Sequence, residues 1–280
     1  MLLRDDLNYS FNPRLSVKDF SKLLSVSLQK ARFAEKKINC QTNLCYGKTS
    51  LQKLDVFYKY KKKNLPIHIF IHGGYWRALD KSYHSHMALP FIKNNICFFN
   101  INYELCPKVK LTDIKNQIIK AILWIHKNAK KFGGDNNNIV LSGHSAGAHL
   151  VSMMLSVNWI KYNINPNIFK GIALISGIYN TEIVPDLKVN DEIRLSNIEA
   201  IRNNPFRLKP KLNTKAIISY GNKEPLLWQK QSKKFLKFLN NNNFQCKEII
   251  SKNDNHFSLI DTLGNFNNKL VKEIISLSLN

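Results

Sequence analysis

The stretch Gly143-His144-Ser145-Ala146-Gly147 decides the predicted fold of this 280-residue chain. It follows the short apolar run 139–141 and precedes a segment of helical character at 146–157. A Gly-x-Ser-x-Gly sequence at a strand-to-helix turn is typical of a nucleophile elbow, which exposes a serine hydroxyl at the edge of a sheet. Because a hydroxyl is a poor nucleophile at neutral pH, it needs an adjacent base and donors that stabilise the developing negative charge. We therefore predict Ser145 as a catalytic nucleophile.

A second glycine-bearing stretch, His72-Gly73-Gly74-Tyr75-Trp76, lies earlier in the chain. Loops of the His-Gly-Gly type supply one backbone N–H of an oxyanion hole, and the residue after the serine supplies the other. The predicted donors are therefore Gly73 or Gly74 together with Ala146. Either motif alone is a weak signal, but the two in this order are a much stronger one.

Strand and helix patterns alternate on both sides of Ser145. Apolar runs at 54–60, 66–71, 96–101, 171–176 and 216–220 predict strands, and amphipathic patterns at 112–132 and 228–239 predict helices. This alternation predicts an α/β fold, with a mostly parallel doubly wound sheet, in a single domain spanning 1–280. Residues 181–215 carry no strand signal but a helix near 195–202, which predicts a small helical cap over the carboxyl edge of the sheet. Within residues 1–50 the pattern predicts a helix at 17–36, but it does not indicate the role of this region.

The composition limits the classes of partner that the chain is expected to bind. The net charge of +23 is spread among asparagines rather than clustered, apart from 58–63, so we expect a small-molecule substrate and no nucleic acid. No apolar stretch is long enough to span a membrane, and acids interrupt the amino terminus before a signal sequence could form, so we expect a cytoplasmic protein. The five cysteines lack metal-type spacing, which predicts free thiols, most of them buried, and no metal site. The oligomeric state, including a homodimer, is left open.

The remaining catalytic residues should follow Ser145 in the order acid, then histidine. Of the eight histidines, His256 alone follows the serine at a useful distance, in a polar loop before the final helix. Glu224 lies just after the predicted strand 216–220 and is the favoured acid. Asp254 is the alternative, but it stands only two residues from His256, which is close for a partner that must support the ring from across a loop.

At these residues the chain resembles the kynurenine formamidase (arylformamidase) group of α/β-hydrolases, in particular its bacterial members. The resemblance extends over nearly the whole sequence, and the stretches that carry it are 12–14, 72–81, 103–107, 143–147, 176–179, 221–232 and 255–257. The resemblance places Glu224 at the position of the catalytic acid, Gly73 and Gly74 in the oxyanion loop and His256 in the histidine loop. Asn180 and Asn204 stand where relatives often carry aspartate and serine, so the substrate contacts there differ.

The resemblance implies hydrolysis of an N-formyl arylamine, N-formyl-L-kynurenine, through a formyl-serine intermediate and without a cofactor. Tyr75, Trp76 and Phe257 are candidates for the walls of the substrate pocket, although aromatic residues there could equally serve packing. The same catalytic groups would also suit a carboxylesterase acting on short acyl esters, because the triad does not encode the leaving group. A hydrolase-like binding protein without catalysis is the third interpretation, and intact Ser145, Glu224 and His256 speak against it.

Overall fold

The computed structural model describes residues 4–279 as helices and strands around one sheet. The eight strands are β1 (Cys40–Cys45), β2 (Lys53–Phe57), β3 (Leu65–Ile71), β4 (Cys97–Ile101), β5 (Gly134–His144), β6 (Phe169–Ile175), β7 (Lys215–Gly221) and β8 (Cys246–Ser251). Their order in the sheet is β1-β2-β4-β3-β5-β6-β7-β8. β1 and β2 run antiparallel to their neighbours, and all other pairs are parallel.

The central strands are buried on both faces, as near-continuous apolar runs predict for a parallel sheet. Every residue of β4 is buried, and in β3 only Pro66 is partly exposed. Two hydrophobic clusters result, one on each side of the sheet. The α/β sheet predicted from these runs is therefore confirmed, whereas the two half-exposed edge strands β1 and β8 were not predicted because they lack an apolar run.

The helices cover both faces and the carboxyl edge of the sheet. Their bounds are α1 (Arg4–Phe11), α2 (Phe20–Lys37), α3 (Ala88–Lys93), α4 (Leu111–Asn128), α5 (Ala146–Met154), α6 (Asn190–Ile193), α7 (Asn197–Arg202), α8 (Leu226–Asn241), α9 (His256–Asp261) and α10 (Lys269–Leu279). No helix within residues 4–279 is long and apolar enough to cross a bilayer.

Helix α4 shows how local sequence sets an element and its end. Its apolar side chains recur every three or four residues and are buried against the sheet. The helix continues into a 3-10 turn, which ends at Gly133, where the φ of 78° lies in the left-handed region. A Cβ at this position would lie 2.2 Å from the Lys62 carbonyl oxygen, so glycine is required both by the backbone angle and by the close approach. The chain then enters β5 and leads to Ser145.

Residues 181–215 contain α6, α7 and the 3-10 helices Thr181–Asp186 and Pro205–Arg207, and no strand except the start of β7. This segment joins the amino-terminal part of the chain, since the Lys188 N–H donates to Asn8 Oδ1 at 2.7 Å. Helix α2, close to the predicted helix at 17–36, begins after Asp19, whose carboxylate accepts the Lys22 N–H at 2.9 Å. The amino-terminal helices thus form a folded layer above the carboxyl edge of the sheet.

Candidate active site

Ser145 occupies the tight turn between β5 and α5. Its backbone angles, φ 56° and ψ −118°, lie in a region that side chains other than glycine rarely adopt, at a cost of about 1–3 kcal/mol. The Ser145 N–H donates to the Ile175 carbonyl at 2.8 Å, which fixes the turn to β6. The two glycines of the motif permit this packing: a Cβ on Gly147 would lie 2.0 Å from the Ile71 carbonyl oxygen, and one on Gly143 2.3 Å from that of Gly147. The predicted strand-turn-helix context of the serine is therefore present.

The loop that follows β3 lies directly against this turn. A Cβ on Gly73 would be 3.0 Å from both the His144 carbonyl oxygen and Ser145 Cβ. Gly74 has a φ of 106°, and its carbonyl accepts the N–H groups of Arg77 and Ala78 at 3.0 Å. Within residues 4–279, none of the loop and turn hydrogen bonds uses the Gly73 or Gly74 N–H as its donor. These donors therefore remain available beside Ser145.

Ala146 supplies the other candidate donor. It is the first residue of α5, and the first four N–H groups of a helix have no acceptor within that helix. A helix amino terminus also carries partial positive charge, which favours an anionic oxygen nearby. The Ala146 N–H and the Gly73-Gly74 loop thus combine unused donors around the serine.

His72 holds the glycine loop in place. Its Nδ1 is 2.7 Å from the Gly73 carbonyl oxygen, and its Nε2 is 2.9 Å from Asn102 Oδ1. The Tyr103 hydroxyl donates to the His72 carbonyl at 2.8 Å, and the two rings stack with centroids 4.3 Å apart. Because all these groups are buried, the loop is braced from the side that faces the core.

His256 lines the same cavity as Ser145 and faces the Glu224 carboxylate. His256 Nδ1 is 3.5 Å from Glu224 Oε1, longer than a normal hydrogen bond, and both side chains are buried. The Ser176 hydroxyl donates to the same carboxylate oxygen, which leaves its position well defined. His256 is the first residue of the short helix α9, rather than part of a loop before the final helix as expected, because Asn255 caps that helix. Catalytic hydrogen bonds are often long in structures without substrate and shorten when it binds.

Asp254, the alternative acid, is engaged elsewhere. Its carboxylate accepts the Ser251 hydroxyl at 2.5 Å and the Ser258 hydroxyl at 2.8 Å. These bonds tie the end of β8 to the first turn of α9. The structure therefore brings the Glu224 carboxylate, and not that of Asp254, within 4 Å of a ring nitrogen of His256.

His144, inside the elbow, supports His256 from below. Its Nε2 donates to the His256 carbonyl at 3.0 Å, and the two ring centroids are 4.5 Å apart. Burial, together with the neighbouring His256, lowers the pKa of His144 well below its usual value. A histidine in this environment stays neutral, so it positions His256 without adding a charge beside it.

A cavity of about 470 Å³ opens above Ser145 and His256. Its walls include Tyr75 and Phe257, as predicted from the sequence. The prediction for Trp76 is wrong: this side chain is fully buried, packs edge-on against His149 at 4.9 Å between centroids, and does not line the cavity. Its ring also meets that of Tyr75 edge-on, with centroids 5.5 Å apart, so Trp76 packs behind the cavity wall.

The cover of this cavity comes from the amino-terminal segment. Lining residues between 12 and 27 belong to the 3-10 helix Pro13–Ser16, to the residues that flank it and to the first half of α2. None of the lining residues comes from 181–215. The predicted cap at 181–215 reaches the cavity wall through Glu192, which pairs with the lining residue Arg77, but contributes no lining residue itself. Residues 12–27, whose role the sequence does not indicate, thus form part of the cavity wall.

The chain is similar in sequence to known proteins. The sequence model of the BD-FAE family matches residues 54–173. The chain is 28% identical to a kynurenine formamidase of Danio rerio, covering 97% of this chain and 94% of that protein. It is 29% identical to a kynurenine formamidase of Salmo salar, covering 93% and 91% of the two chains.

Solved structures show the same fold. A crystal structure from Silicibacter sp. TM1040 superposes with a TM-score of 0.84 at 23% identity and covers 100% of both chains. Esterase B of Lactobacillus rhamnosis superposes with a TM-score of 0.71 at 17% identity, covering 92% of this chain and 95% of that one. The chain therefore has the α/β-hydrolase fold. Its similarity to kynurenine formamidases over most of its length supports a kynurenine formamidase-like hydrolase.

Proposed function

We propose that this protein is a serine hydrolase that cleaves an N-formyl arylamine, specifically N-formyl-L-kynurenine, to the free amine and formate. The observation that carries the reaction type is the strained Ser145 turn, which shares a cavity with His256 and packs against the Gly73 loop. The substrate is supported by similarity to the two fish kynurenine formamidases over more than nine-tenths of the chain.

The first half-reaction transfers the formyl group to the enzyme. Ser145 Oγ attacks the formyl carbon while His256 accepts the hydroxyl proton. The tetrahedral oxyanion is stabilised by the N–H groups of Ala146 and of the Gly73-Gly74 loop. His256 then donates its proton to the aryl nitrogen, the C–N bond breaks, and the arylamine leaves.

The second half-reaction releases formate. A water molecule attacks the formyl carbon of the serine ester while His256 accepts a proton from it, and the ester C–O bond breaks with return of that proton to Ser145. Glu224 faces His256 Nδ1, where its negative charge stabilises the imidazolium and holds the ring orientation in both halves. The formyl group is the smallest acyl group, so the cavity serves chiefly the arylamine side of the substrate.

The decisive experiment compares wild type with Ser145→Ala on N-formylkynurenine, with formate and kynurenine both quantified. We expect the substitution to lower turnover by about 10⁴-fold or more. Ser156→Ala is the matched control, since this serine lies beyond the end of α5 and bonds only to the Met153 carbonyl among the described residues. Full activity of the Ser145→Ala variant would disprove the assignment of Ser145 as the nucleophile.

The preference between a formamide and an ester substrate distinguishes a formamidase from a carboxylesterase. A higher kcat/KM for p-nitrophenyl acetate than for N-formylkynurenine would indicate a carboxylesterase with the same catalytic residues. Failure of a fluorophosphonate probe to label Ser145 would indicate a binding protein without catalysis. Equal labelling of wild type and the Ser145 variant would place the reactive group elsewhere.

A further inference from the structure

A row of aromatic rings leads from the candidate catalytic histidine to a cation at the cavity wall. The His256 ring centroid is 5.2 Å from that of Phe257, and Phe257 is 5.0 Å from Phe20, both in edge-to-face contact. The guanidinium carbon of Arg14 lies 5.1 Å from the Phe20 centroid. Phe257, Phe20 and Arg14 all line the cavity above Ser145.

Arg14 is presented from a fixed turn. It belongs to the 3-10 helix Pro13–Ser16, where the buried Pro13 packs inward and its carbonyl accepts the Ser16 hydroxyl at 2.6 Å. The contact with Phe20 restrains the side chain further, because a guanidinium over an aromatic face is attracted by the ring quadrupole. The charge of Arg14 is therefore positioned before any ligand binds.

The charge of Arg14 has no anionic partner among the described side chains. The cavity's other guanidinium, Arg77, pairs with Glu192 at 2.5 Å. Of the two acidic residues that line the cavity, Asp261 pairs with Lys30 at 2.6 Å and Asp19 caps α2. Among the side chains of residues 6–279 no ion pair joins Arg14 to a carboxylate, and Lys18 and Lys22 line the same end of the cavity, so positive charge prevails there.

We propose that Arg14 is a specificity-determining residue that binds a carboxylate on the substrate, while the aromatic part of the substrate packs along Phe257 and Phe20. The ligand class is an aryl acyl compound with a carboxylate on a side chain attached to the ring. An arginine suits this role because its planar fork donates two parallel hydrogen bonds to a carboxylate. The proposal deepens the formamidase function and rests on it for the bond that is cleaved, but not for the carboxylate preference.

The test measures preference between matched substrates. One pair is N-formylkynurenine and 2-formamidoacetophenone, which lacks the amino acid group. The second pair is 3-(2-acetoxyphenyl)propionate and 2-ethylphenyl acetate, which carry the same contrast on an ester. For each pair the readout is the ratio of kcat/KM for the carboxylate substrate to that for the neutral one, in wild type, Arg14→Met and Arg14→Lys.

We expect Arg14→Met to lower this ratio by about 10- to 100-fold, the range of a charge-assisted hydrogen-bonded pair, mainly through KM. Arg14→Lys should keep part of the preference, because it retains the charge without the fork. Arg32→Met is the control: this exposed arginine of α2 does not line the cavity, so the ratio should stay within about two-fold of wild type.

Several results would overturn the proposal. An unchanged ratio in Arg14→Met, or an equal loss in Lys18→Met or Lys22→Met, would mean that diffuse positive charge at the cavity and not Arg14 selects the anion. If wild type cleaves only the ester pair, the formamidase function fails, while the ester ratio still decides the role of Arg14. If wild type cleaves both formamides with no preference for the carboxylate, the role of Arg14 fails and the formamidase function stands.

Discussion

Replacing Glu224 with glutamine tests the arrangement around His256 most directly. The substitution keeps the size of the side chain and its contact with Ser176, but removes the negative charge that faces His256 Nδ1 at 3.5 Å. At this distance and an effective dielectric constant of about 20, the interaction with the imidazolium is worth about 5 kcal/mol. Since each 1.36 kcal/mol changes a rate tenfold, we expect kcat to fall by about 3000-fold.

The control is Asp254→Asn, which removes the rival carboxylate from the same region. Because Asp254 accepts hydroxyl bonds from Ser251 and Ser258, its loss should cost about 1–3 kcal/mol of stability and less than about tenfold in kcat. The assay is steady-state hydrolysis together with the rate of fluorophosphonate labelling, and urea unfolding verifies that both variants are folded. Retention of most activity in Glu224→Gln, or a larger loss in Asp254→Asn, would refute the assignment of the acid.

Three further outcomes can be measured on the same protein. Gly73→Ala should lower kcat by about 10- to 100-fold at nearly unchanged stability, because its Cβ would lie 3.0 Å from Ser145 Cβ and displace an oxyanion donor; wild-type kcat would contradict this role. Lys81→Met should lower the free energy of unfolding, measured in urea, by about 3–5 kcal/mol, because the buried Asp55 carboxylate loses its partner at 2.8 Å. Adding Asp55→Asn to this variant should restore part of the lost stability. Burial lowers the pKa of His68 to about 3, so the unfolded chain binds a proton at this residue below about pH 6.5 that the folded protein does not. His68 should therefore add about 1.4 kcal/mol per pH unit to the fall in the free energy of unfolding as pH drops from 6.5 towards 3, beside the contributions of other buried histidines such as His144. His68→Gln should reduce the slope by that amount, and a slope equal to that of wild type between pH 6 and 4 would show that the ring accepts a proton when folded.

Local patterns were sufficient for the central part of the fold. The runs around Ile69, Phe99 and Leu174 are apolar throughout because a parallel strand under helices is buried on both faces, and the structure has strands there. The edge strands β1 and β8 were not predicted, since their residues are mostly exposed and many are polar, so neither strand forms a distinct apolar run. Whether a strand could be predicted therefore depended on how far it is buried, and not on the intrinsic strand preference of its residues.

Some features of the candidate site could also be predicted from local sequence, and others could not. The Gly-x-Ser-x-Gly stretch and the glycine loop are visible in the sequence because their geometry is local: each requires glycine where another backbone passes close by. The choice between Glu224 and Asp254 is not local, since both lie after late strands. Only the path of the loops brings one carboxylate near His256 and uses the other to hold α9.

The sequence by itself thus determined an α/β sheet, a serine at a strand-to-helix turn, and a later acid and histidine in the order that this fold uses. The tertiary structure alone decided that the amino-terminal segment covers the cavity, that Trp76 belongs to the core, and that Phe20 and Phe257 stand side by side. These features depend on contacts between residues far apart in the chain. No hydrophobic period or turn residue encodes such contacts, because they form only when helices and loops pack on the completed sheet.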